Sequence, residues 1–427
     1  MHFCLGCITD HKPNSLRKNL LQLGVSLLIV IVTPFLIAGF NTTFNRPSLD
    51  DIRKSTSSTN NYSKFTDYGV GKITAIYDEK LVTNSIGDFN TQKTQVQNIE
   101  IEFQGGKLSG QKITQKYNTD ASDPKQKTKI GDELVIKIDP KIESPNENYY
   151  YIQDKYRANN ILWLLLIFTV LMFLLAGTQG LSSVLGMVFT LIVLIQLLIP
   201  GIISNQDLIG LTFSVGLLIC SVSLYIGHGF NKRTTVSLVA SVLTITLSTI
   251  IAIWAVDFVN LTGYGADTAF ELKGSRITNN INLRGLLLSG IVIGSIGILD
   301  DVTTAQAVAI EEISKANPKL TTNELFIRGM IVGREHIVSL INTLALAYVG
   351  QSLPLLLLFT VYNFSPIWVI INDQMISEEI VRSLVGSTCL LMAIPICNYL
   401  AARFLKAKPF AKPVFVMRDQ IQALSKK

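Results

Sequence analysis

Asp300 and Asp301 are the residues whose types and setting point most directly to chemistry. They end an apolar run that begins at Gly285 and passes through Gly290, Gly294 and Gly297. If that run is helix, rising 1.5 Å per residue, Asp300 stands about 22 Å from Gly285, inside a hydrocarbon core roughly 30 Å thick. A charged Asp near the centre of such a helix costs on the order of 2.5–3.5 kcal/mol. The chain must offset this with partners, water or a proton, and ionisable groups kept at such depth mark proton relays and ion paths. Steps of 100° per residue put Asp300, Thr304, Ala307 and Glu311 on one helix face, with Asp301 about a quarter-turn away. The stripe is polar, small and acidic, suited to a water-filled cavity or a neighbouring helix. A blander reading stands beside it: a run that falls short of spanning leaves both carboxylates among lipid headgroups.

A second polar set follows in Arg334, Glu335, His336, Ser339, Asn342 and Tyr348. Glu335, Ser339 and Asn342 share a helix face. Arg334 is expected either to neutralise Glu311 or Asp300, or to anchor the helix on lipid phosphates. The ion or substrate pathway expected from the sequence therefore comprises Asp300, Asp301, Thr304, Glu311, Arg334, Asn342 and Tyr348. Gly290, Gly294 and Gly297 are assigned to helix packing, since small residues four apart let a second backbone approach closely.

The elements that must position these groups are apolar and long. Of 427 residues, 48% are hydrophobic and 16% charged, where a soluble domain carries roughly 25% charged residues. Residues 41–158 hold 33 of the 68 charges, leaving 35 for the other 309 residues. Apolar stretches lie at Leu20–Phe40, Ile161–Ala176, Leu181–Ile203, Leu208–Ile226, Thr235–Val256, Gly285–Ile298, Ile337–Phe359 and Ile380–Ala402. Eight spans are expected, the second and third joined by a tight hairpin at Gly177–Gly180. Lys12, Arg17 and Lys18, then Lys232 and Arg233, then Arg403 through Lys427 flank alternate ends. The positive-inside rule puts both termini in the cytoplasm and residues 41–158 outside.

That outer module starts with a Ser-, Thr- and Asn-rich stretch, Lys54–Ser63, read as a flexible tether. From Gly69 the runs Gly71–Tyr77, Gln97–Phe103 and Glu133–Ile138 alternate with the two-residue period of half-buried strands. Gly105-Gly106 and Gly131-Asp132 supply turns. A small β-barrel or sandwich is expected, with a binding or gating role, since the module holds neither His nor Cys. The fold class is then mainly α: a polytopic transmembrane bundle with an extracytoplasmic β-rich domain inserted after the first span. Its parts are a cytoplasmic segment 1–19, a span 20–40, a linker 41–68, the β-rich domain 69–158, a seven-span domain 159–403 and a basic tail 404–427.

Other chemistries find little support. The net charge of +6 is gathered beside apolar runs and not on a soluble basic face, so nucleic acid is not an expected partner. No Gly-rich nucleotide loop and no internal repeat appear. A paired-Asp protease needs carboxylates from separate elements, whereas adjacent residues diverge by 100°. No enzyme activity and no cofactor are expected. Cys4 and Cys7, a Cys-x-x-Cys beside His2 and His11, are weak metal candidates against a disordered tip. Cys220, Cys389 and Cys397 are expected to pack as small hydrophobes.

The stretch Gly297-Ile298-Leu299-Asp300-Asp301-Val302-Thr303 with Gln306-Ala307 and Glu312 is followed by Gly333-Arg334-Glu335-His336-Ile337. Then come Asn342–Gly350 and Leu353-Pro354-Leu355-Leu356-Leu357. In these motifs the sequence resembles the YibE/F-like family of bacterial multi-span membrane proteins. The resemblance covers most of the chain from Gly69 and is firmest over Gly285–Leu358. It implies a bacterial plasma-membrane protein with a β-rich region before the main bundle, and it supplies no catalytic residues. It puts Asp301, Arg334, Asn342 and Tyr348 at motif positions; some relatives have Asn at the place of Asp300, which shifts the weight to Asp301. The leading expectation is a proton- or cation-coupled transporter or channel of unspecified substrate, working in a lipid bilayer. The alternative is a non-transporting sensor or scaffold whose β-domain binds a ligand or partner.

Overall fold

A computed structural model describes residues 13–43, 67–86, 90–105, 108–120, 127–140, 148–204, 207–265, 267–274, 278, 280–362 and 366–407. Cys4 and Cys7, the tether at 54–63 and the tail from Lys408 lie outside the described residues. The chain divides into two compact units, one of residues 50–171 and one of residues 1–49 with 172–427.

In the first unit, β1 (Asp67–Ile86), β2 (Asn90–Phe103), β3 (Lys112–Asp120), β4 (Glu133–Pro140) and β5 (Asn148–Lys155) form one antiparallel sheet in the order β3-β2-β1-β4-β5. The alternation read from the sequence falls in β1, β2 and β4. The sheet is single and curled, an open half-barrel and not a sandwich. Its inner face carries Ile73, Ile99, Ile101, Phe103, Leu134 and Ile136, all buried. Register shifts at Ile73/Ala75 and Ile76/Asp78 are bulges that bend β1 and help the sheet to curl. At Gly71 a side chain has no room, since a Cβ there would run into Ile101 and stand 2.7 Å from Ile136 Cδ1. Within the concave side, Gln97 Oε1 accepts from the Thr128 backbone N–H at 3.1 Å and from its hydroxyl at 2.8 Å.

On the same sheet, Glu100 accepts from the hydroxyl of Tyr77, from Lys112 Nζ at 2.9 Å and from Thr74 Oγ1 at 2.8 Å. These donors, Tyr77 first, hold its carboxyl at about 2, against an ordinary 4.5. A carboxyl lowered in this way stabilises the folded sheet above pH 4.5, and the benefit is lost as pH falls towards about 2. The protection of amides in β1, β2 and β3, measured relative to their intrinsic exchange rates, is therefore expected to fall across that window. Glu100→Gln is expected to flatten the dependence, and an unchanged profile in that variant would assign the effect to other carboxyls.

In the helical part, α1 (Pro13–Thr43) is followed by α2 (Ala158–Ile203), α3 (Leu208–His228), α4 (Lys232–Phe258) and a short α5 (Asp267–Gly274). Then come α6 (Leu283–Ala316), α7 (Thr322–Gln351), α8 (Leu353–Tyr362), α9 (Ile367–Asn372) and α10 (Gln374–Phe404). Side-chain oxygens cap the starts of the long helices: Asp207 for α3, Asn231 for α4, Asn282 for α6 and Asp373 for α10, with a reciprocal Thr321–Glu324 capping box for α7. Among the described residues, seven helices are long and apolar enough to cross a membrane: α1, α2, α3, α4, α6, α7 and α10.

The difference from eight lies in α2. Its 46 residues, about 69 Å of helix, cover both expected spans and are long enough for two crossings. The expected hairpin is a break at Gly177, whose φ of 60° and ψ of −141° are not helical. Beyond it the chain turns sharply enough that a Cβ on Gly180 would collide with the Met172 carbonyl oxygen. In a straight helix those residues stand about 12 Å apart. The expected span Ile337–Phe359 likewise straddles two helices, α7 and α8, with Ser352 between them at ψ 6°.

α6 is the hub of its unit. It packs against α3, α4, α7 and α10, and 17 of its 34 residues are buried. Leu299, Val302, Ile296 and Val292 from α6 meet Ile219, Cys220, Ile245 and Cys389 in the main apolar cluster.

Candidate functional site

The site is built along the buried side of α6. Asp300 is the eighteenth of its 34 residues, half-buried, and its Oδ1 accepts from Cys220 Sγ of α3 at 3.3 Å. Cys220, expected to pack as a small hydrophobe, is thus also a donor to the carboxylate. Thr304 and Ala307 are buried and Glu311 half-buried, so the acidic stripe read from helical projection faces the protein interior. Asp301 points to the exposed flank. The resemblance put the weight on Asp301, but the carboxylate turned into the bundle belongs to Asp300.

A row of hydroxyls runs along the same side of α6. Ser289 accepts from Thr212 of α3 at 2.7 Å, Ser295 from Ser248 of α4 at 3.4 Å, and Thr303 meets Ser241 of α4 at 2.9 Å. The Thr303 carbonyl also accepts from Ser237 at 3.3 Å and from Cys397 of α10 at 3.1 Å. The Thr304 hydroxyl is buried with no hydrogen-bond partner among the described residues.

One turn further, two amides meet where α6, α7 and α10 converge. Gln306 and Asn398 are both 0% exposed. Gln306 Nε2 donates to His336 Nδ1 at 2.8 Å, and Asn398 Nδ2 reaches Met330 Sδ at 3.4 Å. Their oxygens, Gln306 Oε1 and Asn398 Oδ1, have no hydrogen-bond partner among the described residues. Gly329 and Gly333 of α7 make this meeting possible. A Cβ on Gly333 would stand 2.5 Å from Ile394 and 3.5 Å from both Gln306 Oε1 and Asn398 Nδ2. Leaving a buried acceptor unsatisfied costs about 1–3 kcal/mol, so each of these oxygens suits water or a proton donor.

The remaining residues expected on the pathway are placed differently. Glu311 pairs with Arg233 of α4 at 3.5 Å and with Lys315 at 3.0 Å, and not with Arg334. Arg334 is exposed and makes no ion pair among the described residues, because it lies on the outer side of α7. Glu335, Ser339 and Asn342 are exposed on α7 as well. Tyr348 does reach the bundle: its hydroxyl lies 3.8 Å from where a Cβ on Gly294 would stand and 3.7 Å from the same point on Gly386. Gly294 thus accommodates a tyrosine, whereas Gly290 and Gly297, assigned to packing, are exposed and have nothing within 4 Å of the Cβ position among the described residues.

Sequence reasoning did not single out Gln306 or Asn398 as a pair, and it treated His336 as an interfacial residue. The signal that finds them is their type, since an amide inside an apolar helix is as informative as a carboxylate. Among the described residues no group of three His, Cys, Asp or Glu is placed to hold a metal. No curated protein and no solved structure matches this chain. A family model described as YibE/F-like protein matches residues 164–407, which is more than half of the sequence and contains Asp300, the hydroxyl row and both amides, and so the chain belongs to the YibE/F-like family of membrane proteins.

Proposed function

We propose that this protein is a proton- or cation-coupled transporter or channel of the bacterial plasma membrane, with both termini in the cytoplasm and residues 41–158 outside. The observation that carries this reading is Asp300, a carboxylate at the middle of the central helix, turned towards α3 and answered there by the Cys220 thiol and the Ser223 hydroxyl and, among the described residues, by no cation. A buried charge paired with Arg or Lys is a structural fixture; one met only by neutral donors is free to exchange its proton or counter-ion. Thr304, the Thr303–Ser241 pair and the unpartnered oxygens of Gln306 and Asn398 continue a polar route along α6 for roughly two turns. His336, bonded to Gln306, stands at its far end.

The test is flux through the purified protein in sealed proteoliposomes under an imposed pH or cation gradient. Flux above that of protein-free vesicles is expected; its absence under every gradient overturns the reading. A second reading, a sensor or scaffold, draws on the half-barrel's being a compact unit of its own. Retention of a defined ligand by that unit, without flux, would favour it.

A further inference from the structure

A groove of about 730 Å³ opens between α3, α4 and α10, away from Asp300. Its two ends differ in chemistry. At the end where the helices stop stand Lys232, Thr235 and Tyr225 with Phe404, the last residue of α10; Val239 and Leu400 lie further along their helices. Lys232 is the first residue of α4 and follows His228, the last of α3, by a three-residue turn. Two helices long enough to cross a membrane therefore end together at the polar end of the groove, which sets that end at the membrane–water boundary whichever side it faces. Val239, seven residues along α4, lies about 10 Å deeper.

Charge points the same way. Lys232 is exposed and makes no ion pair among the described residues, in contrast to its neighbour Arg233, which is engaged by Glu311. Among the described residues no carboxylate lines the groove, and exposed Arg403 precedes Phe404 in sequence. The Tyr225 hydroxyl and Thr235 Oγ1, 3.2 Å apart, offer further polar contacts. The Tyr225 ring stacks on Phe230 at 4.6 Å, which fixes the wall beside them.

We infer that this groove binds one anionic phospholipid, its phosphate against Lys232 and the hydroxyls of Thr235 and Tyr225, and an acyl chain passing Phe404 to run along Leu400 and Val239. The separation of charge from apolar surface by about 10 Å matches the step from a headgroup to its chains. A soluble anion would leave the apolar end empty, and a neutral lipid would leave Lys232 unanswered.

The test is native mass spectrometry of the full chain in detergent, titrated with phosphatidylglycerol or with phosphatidylcholine of the same acyl chains. Wild type is expected to retain one phosphatidylglycerol at roughly fivefold lower lipid concentration than phosphatidylcholine, the preference a single interfacial Lys supplies. Lys232→Gln is expected to abolish that preference without loss of fold, since the side chain is exposed. Val239→Trp, at a position 45% exposed and so tolerant of bulk, fills the apolar end. It is expected to weaken retention of both lipids at least tenfold with an unchanged melting temperature. Equal retention of the two lipids by wild type, a preference that survives Lys232→Gln, or full retention by Val239→Trp overturns the inference. So does displacement of the lipid by glycerol 3-phosphate, which would make this a soluble-phosphate site. A change in oligomeric mass in Val239→Trp would instead assign the groove to a second copy of the chain.

Discussion

Asp300→Asn is expected to lower gradient-driven flux at least tenfold while leaving the bundle as stable as wild type or more so. The two halves of that result come from the same physics. An amide keeps the size of the carboxyl and still accepts from Cys220, whose Sγ lies 3.3 Å from Oδ1. It carries no exchangeable charge, so a cycle that depends on taking up and releasing a proton or cation at this atom stops. It also escapes the insertion cost of an Asp near a helix centre, on the order of 2.5–3.5 kcal/mol, part of which the native protein offsets through its partners. Thermal unfolding in detergent separates the two effects from a simple loss of fold. Asp301→Asn, on the exposed flank, is expected to change flux less than threefold. Equal losses in the two variants would mean that the pair acts through surface charge, and full activity in Asp300→Asn would remove the site altogether.

Gly333→Val is expected to destabilise the bundle by about 2–4 kcal/mol. Gly333 is buried on α7 with its missing Cβ 2.5 Å from Ile394 of α10, closer than real Cβ contacts come. Overpacking of this kind costs about 1–3 kcal/mol. Here the strain is not relieved by a flexible side-chain end, because the atom met is Ile394 Cγ2, fixed on a branched Cβ, and Asn398 and Gln306 already stand in contact at 3.5 Å. Pushing α7 outward also stretches the Gln306–His336 bond, worth a further 0.5–1.5 kcal/mol or so. Gly290→Val is the matched control: among the described residues nothing stands within 4 Å of its Cβ position, so a change within about 0.5 kcal/mol is expected. Similar melting temperatures for the two variants would show that α7 does not rest on the amides.

The helices were legible because burial in a bilayer demands length and apolarity, which are properties of a segment by itself. Strands β1, β2 and β4 were legible for a similar reason, since alternation is local. β3, with Ile113 and Tyr117 spaced among polar residues, and β5, with three consecutive tyrosines, carry no such pattern, and only pairing with β2 and β4 makes them strands. At the site, helical projection separates Asp300 from Asp301 by 100° and leaves open which of them faces the bundle. That choice depends on where α3 lies, which no local rule supplies. The partner of Glu311 illustrates the same limit: Arg233 and Arg334 have the same charge, and only the packing of α4 beside α6 selects the first. Gln306 and Asn398 are 92 residues apart and meet only because glycines at 329 and 333 let three helices converge.

The hydroxyl row along α6 bears on how easily the bundle rearranges. Bonds such as Thr212–Ser289, Ser241–Thr303 and Ser248–Ser295 contribute about 0.6 kcal/mol apiece within a membrane, close to thermal energy at room temperature. Each latch therefore opens unaided, and a freed hydroxyl finds a carbonyl of its own helix one turn back, as Ser289, Ser295 and Thr303 already do. Neighbouring helices joined in this fashion slide at small cost, with no orphaned donor left in the oil.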